Sequence, residues 1–364
     1  VIPGGLALLD ELLHQTRGII YCLVRSSDAE DGMKRLKSNM ESYGLWASSM
    51  AARIRPVPGD LSLPLLGLEP EQFKMLAQEV DLIFHNGSQV NFVQPYHALK
   101  AVNVQGTKEV LRLAVLRKVK PVHYVSTIAT LDLAARPGLA VGFEEDKLGR
   151  YENLHSGYRQ SKWVAEKIIQ LAQSRGIPVS VYRPGYIVGH SATGACNTND
   201  LVFRMLKAWI QLGIAPEVNE SVYLTPVDYL SRALVAISRD RESTGKAFHV
   251  INPVATKVRA LIDWTRSKGY SIETLPPEQW RRVLSDVVAH TQENALYPLL
   301  PRLLEDTPSL QPQGPSPQEI VIDCRNTTAA LAQSSVTCPA INHELLETYF
   351  SYLTRSGFLP PPKA

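Results

Sequence analysis

Tyr158 and Lys162 stand four residues apart in Gly157-Tyr158-Arg159-Gln160-Ser161-Lys162. On a helix that spacing points both side chains to one face. A phenol held beside an ammonium does acid–base chemistry. The positive charge favours phenolate and draws the tyrosine pKa toward neutrality, so Tyr158 can exchange a proton with a substrate oxygen. The pair alone is a weak signal, because an exposed helix pair has the same spacing. Two neighbouring elements strengthen it. The apolar run Val122 to Ser126 ends in Ser126-Thr127, some thirty residues before Tyr158. A hydroxyl at the carboxyl end of a parallel strand sits at the ligand crevice. There it donates to a carbonyl oxygen that is gaining negative charge, although a turn or helix cap is the commoner use of Ser-Thr. Arg183-Pro184-Gly185-Tyr186-Ile187-Val188-Gly189 closes the next strand. Proline and glycine there let the backbone pass close to a flat ring, and they serve an ordinary turn equally well.

Regular elements must hold these residues. Short apolar runs at 19–24, 80–85, 121–126 and 178–183 read as strands. They are apolar throughout, not alternating, which suits strands buried on both faces of a parallel sheet. Helical stretches at 28–43, 95–116 and 157–174 lie between them, the second with Val102, Leu111, Ala114 and Val115 able to share faces. That rhythm predicts the α/β class: a Rossmann-type, doubly wound parallel sheet. After about residue 190 the pattern becomes mostly helical, at 201–212, 226–239, 258–268 and 342–353, with a Pro- and Ser-rich loop at 308–317. We therefore expect a sheet domain over 1–190, to which 246–252 returns, and a smaller, mainly helical substrate-binding lid over 191–364. The helix at 201–212, with Phe203, Met205, Leu206, Trp209 and Ile210, is the expected wall of the substrate channel, with packing of these residues against the sheet as the equal alternative.

The 364 residues are 45% hydrophobic and 20% charged, enough apolar matter for a large core. A net charge of +3 is too weak to argue for a nucleic-acid surface. Cys22, Cys196, Cys324 and Cys338 form no CxxC pair and read as reduced thiols of a cytoplasmic protein with no metal site. No apolar run is long enough for a membrane span. A helical pattern begins almost at once after Val1-Ile2-Pro3-Gly4-Gly5, and the expectation is that something upstream is absent.

The strand, the Ser-Thr end, Tyr-x-x-x-Lys and Arg-Pro-Gly-x-Ile-x-Gly together resemble the extended short-chain dehydrogenase/reductases. The finer resemblance is to the thioester reductase domains of nonribosomal peptide and polyketide synthetases, carboxylic acid reductases and fungal aminoadipate reductases. It is carried by Leu23-Val24-Arg25, Tyr43-Gly44-Leu45-Trp46, Pro58-Gly59-Asp60-Leu61, His85-Asn86-Gly87, Val90-Asn91, Asn103-Val104-Gln105-Gly106-Thr107, Tyr124-Val125-Ser126-Thr127 and Tyr158 to Glu166, over roughly residues 5 to 260. The sequence departs from the family at its opening strand and first two glycines, leaving Gly5-Leu6 to match the last glycine and the helix that receives the pyrophosphate. The missing stretch is either a truncation or an omitted mobile loop, and the second is favoured because an empty phosphate loop is often disordered. A chain truly lacking it should bind cofactor poorly.

The resemblance implies NADPH as cofactor and a role for each matching residue. Arg25, after the second strand, suits the 2′-phosphate, where NAD enzymes place an acid. Arg35 is a second clamp or a solvated helix residue. Asp60 and Leu61 flank the adenine, and Asn86 and Gly87 end a strand beside the cofactor. Asn103 lies near Lys162 and helps fix it. Pro184, Gly185 and Ile187 complete the cofactor set. Thr127 is the catalytic hydroxyl, with Ser126 as the fallback, and acts with Tyr158 and Lys162. The implied reaction is reductive release of an acyl or peptidyl thioester from a phosphopantetheine carrier protein, giving an aldehyde and, on a second turn, an alcohol. The implied setting is a larger multidomain synthetase, with no nucleic acid or membrane as partner. A stand-alone reductase of acyl-CoA or a small ketone is the rival within the class. A cofactor-sensing protein without chemistry is the rival outside it, and the intact Thr127, Tyr158 and Lys162 argue against that one.

Overall fold

The computed structural model describes residues 3–131, 140–286, 294–297 and 320–362. Its centre is a set of short parallel strands. β1 (Ile20–Val24) pairs with β2 (Ile54–Pro58). β3 (Ile83–His85), β4 (Val122–Val125), β5 (Val179–Tyr182) and β6 (Ala247–Phe248) form a four-stranded sheet in the order β6-β5-β4-β3. All of its pairings are parallel.

The helices explain the strand sequences. α1 (Pro3–Gln15), α2 (Ala29–Ser42), α3 (Pro70–Glu79), α4 (Gly106–Val115) and α5 (Gly157–Ser174) flank the strands. Val122, Tyr124, Val179 and Val181 pack against Leu111, Ala114, Ala165 and Ile169 of α4 and α5. The alternate residues Val125 and Tyr182 pack with Leu8 of α1 and with Leu230 and Leu234 of α7 (Val227–Ser238). Successive residues of a strand point to opposite faces, so burial of both faces requires the unbroken apolar runs seen in the sequence. Each such side chain removed from water contributes about 1.5–3 kcal/mol.

Local signals set the elements that hold the site. Asp28 caps α2 by accepting from the Asp31 N–H at 2.8 Å. Ser156 caps α5 through the Arg159 N–H at 3.3 Å. At Gly157 a Cβ would lie 2.4 Å from the Gln94 carbonyl oxygen, so glycine alone lets α5 start so close to the 94–96 segment. The expected helix over 95–116 is three pieces: Tyr96–Lys100, a π turn at Ala101–Gln105, and α4. The wide turn rotates α4 relative to the piece before it. Leu111 and Ala114 are buried, whereas Val115 is 46% exposed and does not share their face as expected.

The remaining helices are α6 (Leu201–Leu212), α8 (Val258–Ser267), α9 (Pro277–Asp286), α10 (Arg325–Leu331) and α11 (His343–Arg355). α6, α8, α9 and α11 share one core, in which Phe203, Trp209, Ile262, Trp280 and Phe350 meet. α7 instead lies against α1 on the sheet, and Leu331 of α10 joins that layer. The 308–317 loop lies outside the described residues. No helix among the described residues is long and apolar enough to cross a membrane.

Candidate active site

The carboxyl ends of β3, β4 and β5 open into one cavity of about 400 Å³, lined mainly by apolar atoms. Its wall includes Asn86, Thr127, Tyr158, Lys162, Pro184 and Ile187, together with Gly185. Residues spread over a hundred positions of sequence therefore meet where a doubly wound sheet binds ligands.

The two hydroxyls at the end of β4 have different surroundings. Ser126 is 4% exposed and donates to the carboxylate of Glu166. Thr127 is half-buried, and its Oγ1 accepts from the Ala129 N–H at 3.2 Å. The Thr127 hydroxyl proton is thus left for a cavity ligand, while the Ser126 proton is committed. The geometry favours Thr127 over Ser126 as the donor to a substrate oxygen.

Lys162 is 3% exposed and donates to the Val125 carbonyl oxygen at 2.7 Å. Its ammonium also lies 4.4 Å from the centre of the Tyr124 ring. Burial draws its pKa down to about 7, against the opposing pull of Glu166. Tyr158 meets Phe92 edge to face at 5.5 Å. Burial raises the Tyr158 pKa well above its ordinary value, and the nearby Asp200 raises it further. Lys162 is not among the causes of that shift, so the expectation that it draws the phenol toward neutrality finds no support in the surroundings of Tyr158. Burial is the larger cause, and it favours the protonated phenol.

Asn103 is 3% exposed, and its Nδ2 donates to Ser161 Oγ at 2.9 Å and to the Gln89 carbonyl oxygen at 3.0 Å. It thus holds α5 beside Lys162 through Ser161.

The cofactor-side residues fall into two groups. Arg25 is exposed at the end of β1, and its carbonyl oxygen accepts from Arg35 at 2.6 Å, so the Arg35 guanidinium lies against the Arg25 backbone. Asp60 accepts from the N–H and hydroxyl of Ser62, both at 2.7 Å. Burial acts to raise the Asp60 pKa, but Ser62 and then Arg25 outweigh it and hold the carboxyl below its ordinary range. Leu61 packs against Gly87, where a Cβ would come within 2.5 Å of its Cδ1. These residues do not line the cavity itself. Leu6 is fully buried among Leu36, Met40 and Ile54. Gly4 and Ala7, on either side of Gly5-Leu6, line the cavity, and Gly4 faces the Asn86 amide. The first-turn N–H groups of α1 have no acceptor within the helix, which suits a phosphate there.

The expected channel wall is corrected. Phe203 and Trp209 are 3% and 5% exposed and pack in the core shared by α6, α8, α9 and α11, with Met205, Leu206 and Ile210 against it. Only the start of α6 reaches the cavity, through Asp200, Leu201 and Val202. An amphipathic helix buries its broad apolar face in its own core. Sequence reading also passed over Tyr43, Leu45 and Cys196 as wall residues, although it singled out the Tyr43 stretch. Asp200 was missed as well. Burial raises its pKa to about 7, while Asn197 and Arg204 pull it down.

Residues 5–234 match the family model described as male sterility protein, a NAD-binding family. The chain is 41% identical over 357 residues to a component of the linear gramicidin synthase of Brevibacillus parabrevis, covering 98% of this chain and 7% of that protein. It is 33% identical over 378 residues to L-2-aminoadipate reductase of Schizosaccharomyces pombe, covering 98% of this chain and 26% of that protein. The chain thus spans a small part of the curated relatives it matches. The crystal structure of the terminal R domain from the myxalamid PKS-NRPS pathway superposes with a TM-score of 0.89 at 42% identity, covering 99% of this chain and 90% of that one.

Proposed function

The chain belongs to the NAD(P)-dependent thioester reductase family, whose members include R domains of nonribosomal peptide and polyketide synthetases and aminoadipate reductases, and we propose that it uses NADPH to release an acyl or peptidyl thioester as an aldehyde. The observation that supports this most is the meeting of Thr127, Tyr158 and Lys162 on one wall of an apolar cavity at the strand ends. The nicotinamide cofactor supplies the hydride when bound.

The chain's own residues supply the rest. Thr127 donates a hydrogen bond to the thioester carbonyl oxygen and steadies the charge that grows on it. Tyr158, held protonated, gives its proton to that oxygen. Lys162 bridges helix and strand end, and its ammonium compensates the phenolate left behind. Collapse of the hemithioacetal then breaks the carbon–sulfur bond and yields aldehyde and thiol. Arg25, with Arg35 bonded to its backbone, offers positive charge for the 2′-phosphate of NADPH. Asn103 secures α5 through Ser161. The carrier protein is the partner of this reading, since a pantetheine arm is long enough to deliver a thioester into the cavity. Incubation with NADPH and a panel of acyl-pantetheine thioesters tests it. Aldehyde with free thiol is the expected product, and acid or unchanged thioester would overturn it.

A further inference from the structure

Behind the Thr127 turn lies a buried ionic chain that the mechanism above leaves unused. Glu166 is 0% exposed on α5, one helical turn beyond Lys162. Its Oε1 accepts from Arg183 Nε at 2.9 Å and Nη2 at 2.6 Å. Its Oε2 accepts from the Ser126 hydroxyl and lies 3.3 Å from the Thr130 hydroxyl, which also reaches the Thr127 carbonyl oxygen at 2.8 Å. One carboxylate thus grips both ends of the turn that carries Thr127. Arg183, 1% exposed, extends the chain to the Glu144 carbonyl oxygen and His249 Nε2, both at 3.2 Å.

Burying such a pair is expensive, and well-packed apolar residues of similar size are often as stable or more so. Stability alone therefore does not account for it. The divided carboxylate suggests what does: one oxygen neutralises Arg183, and the other sets the geometry of the turn.

We propose that Glu166 is a positioning residue for the reduction, fixing the Ser126–Thr130 turn so that the Thr127 hydroxyl faces the cavity and placing a negative charge one helical turn from the Lys162 ammonium. This inference rests on the thioester reductase reading. The titratable groups facing Lys162 among the described residues are His85 from β3, Tyr124 from β4, and Tyr158 and Glu166 from its own helix. Burial lowers the His85 pKa to about 3 and raises both tyrosines well above their ordinary range, so all three are neutral. Glu166 is the anion of the set, and its effect on Lys162 opposes burial.

The test compares wild type with Glu166→Gln and Ser126→Ala. Each is followed by kcat, by KM for NADPH and the thioester across pH, and by an NMR titration of the Lys162 Cε signal without substrate. Glu166→Gln should lower kcat about tenfold, leave KM for NADPH within about twofold, and move the Lys162 midpoint and the alkaline limb to lower pH. Ser126→Ala should lower kcat and leave the Lys162 midpoint where it is. A folded Glu166→Gln protein with an unmoved Lys162 midpoint would overturn the proposal, whether or not its rate falls. Should Glu166→Gln not fold, a Ser126→Ala enzyme with wild-type kcat would overturn it. A wild type that turns over no thioester sinks the underlying reading instead, and the Lys162 titration still decides the electrostatic half.

Discussion

Lys162 donates its ammonium to the carbonyl oxygen of Val125 at 2.7 Å, joining α5 to the end of β4 two residues before Thr127. The bond fixes the distance between the helix that carries Tyr158 and the strand that carries Thr127. It also places the ammonium in a buried spot where its charge is costly.

A pH dependence arises from that burial. It draws the Lys162 pKa from 10.5 to about 7, so the group is charged below that pH and neutral above it. If the ammonium is the working form, kcat/KM falls as pH rises through about 7. Linkage gives a second sign. Between about 7 and 10.5 the unfolded chain binds the proton that the folded chain has released, so this group makes stability rise with pH in that window. Urea midpoints measured on both sides of neutrality should show that rise in wild type and a smaller one in Lys162→Met. A larger rise in the variant would contradict the assignment.

Tyr158→Phe should cut turnover by about 10²–10⁴-fold while NADPH binding stays nearly intact. In the proposed mechanism the phenol acts on the substrate oxygen, and other residues grip the cofactor. Lys162→Ala should damage both. Fluorescence titration of NADPH beside steady-state rates separates the two cases, and a Tyr158→Phe enzyme at wild-type rate would break the assignment.

Arg25→Ala should weaken NADPH far more than NADH, because only NADPH has the phosphate to lose. A charge-assisted contact of this kind contributes about 1.5–3 kcal/mol, roughly tenfold to a hundredfold in affinity. Binding constants for both cofactors decide it, and equal losses would remove Arg25 from the phosphate site.

Trp209→Ala should destabilise the protein by about 3–5 kcal/mol and leave acyl-chain preference unchanged, because Trp209 packs in the core shared by α6, α8, α9 and α11. Val202→Phe should do the reverse, since Val202 lines the cavity. Thermal unfolding and rates on short and long acyl thioesters distinguish them. A change of chain preference in Trp209→Ala would restore that residue to the channel wall.

The sheet domain was legible because its strands are buried on both faces and leave unbroken apolar runs, as at Val122–Val125 and Val179–Tyr182. β2 was not, because Ile54–Pro58 contains Pro56 and Pro58 and pairs on one side only, where proline is tolerated. α3 was missed although Glu69 and Gln72 form a capping box around Pro70, a signal that was available. Thr127, Tyr158 and Lys162 were legible through strand ends and helical spacing. The wall roles of Tyr43, Cys196 and Asp200 were not, because they depend on how the lid meets the sheet, and no local pattern encodes that. The tyrosine's acidity was misjudged for a related reason: spacing shows a charge nearby, but burial decides which effect wins.

Reduction of a carrier-bound thioester, as proposed for this chain, consumes NADPH and frees the carrier thiol together. Its most direct test is the ratio of NADPH oxidised to carrier thiol released, with an acyl chain loaded on a phosphopantetheine carrier protein. A ratio of one with aldehyde, or two with alcohol, is the predicted result. Thiol release with no NADPH oxidised, or NADPH oxidised with no thiol released, would contradict it.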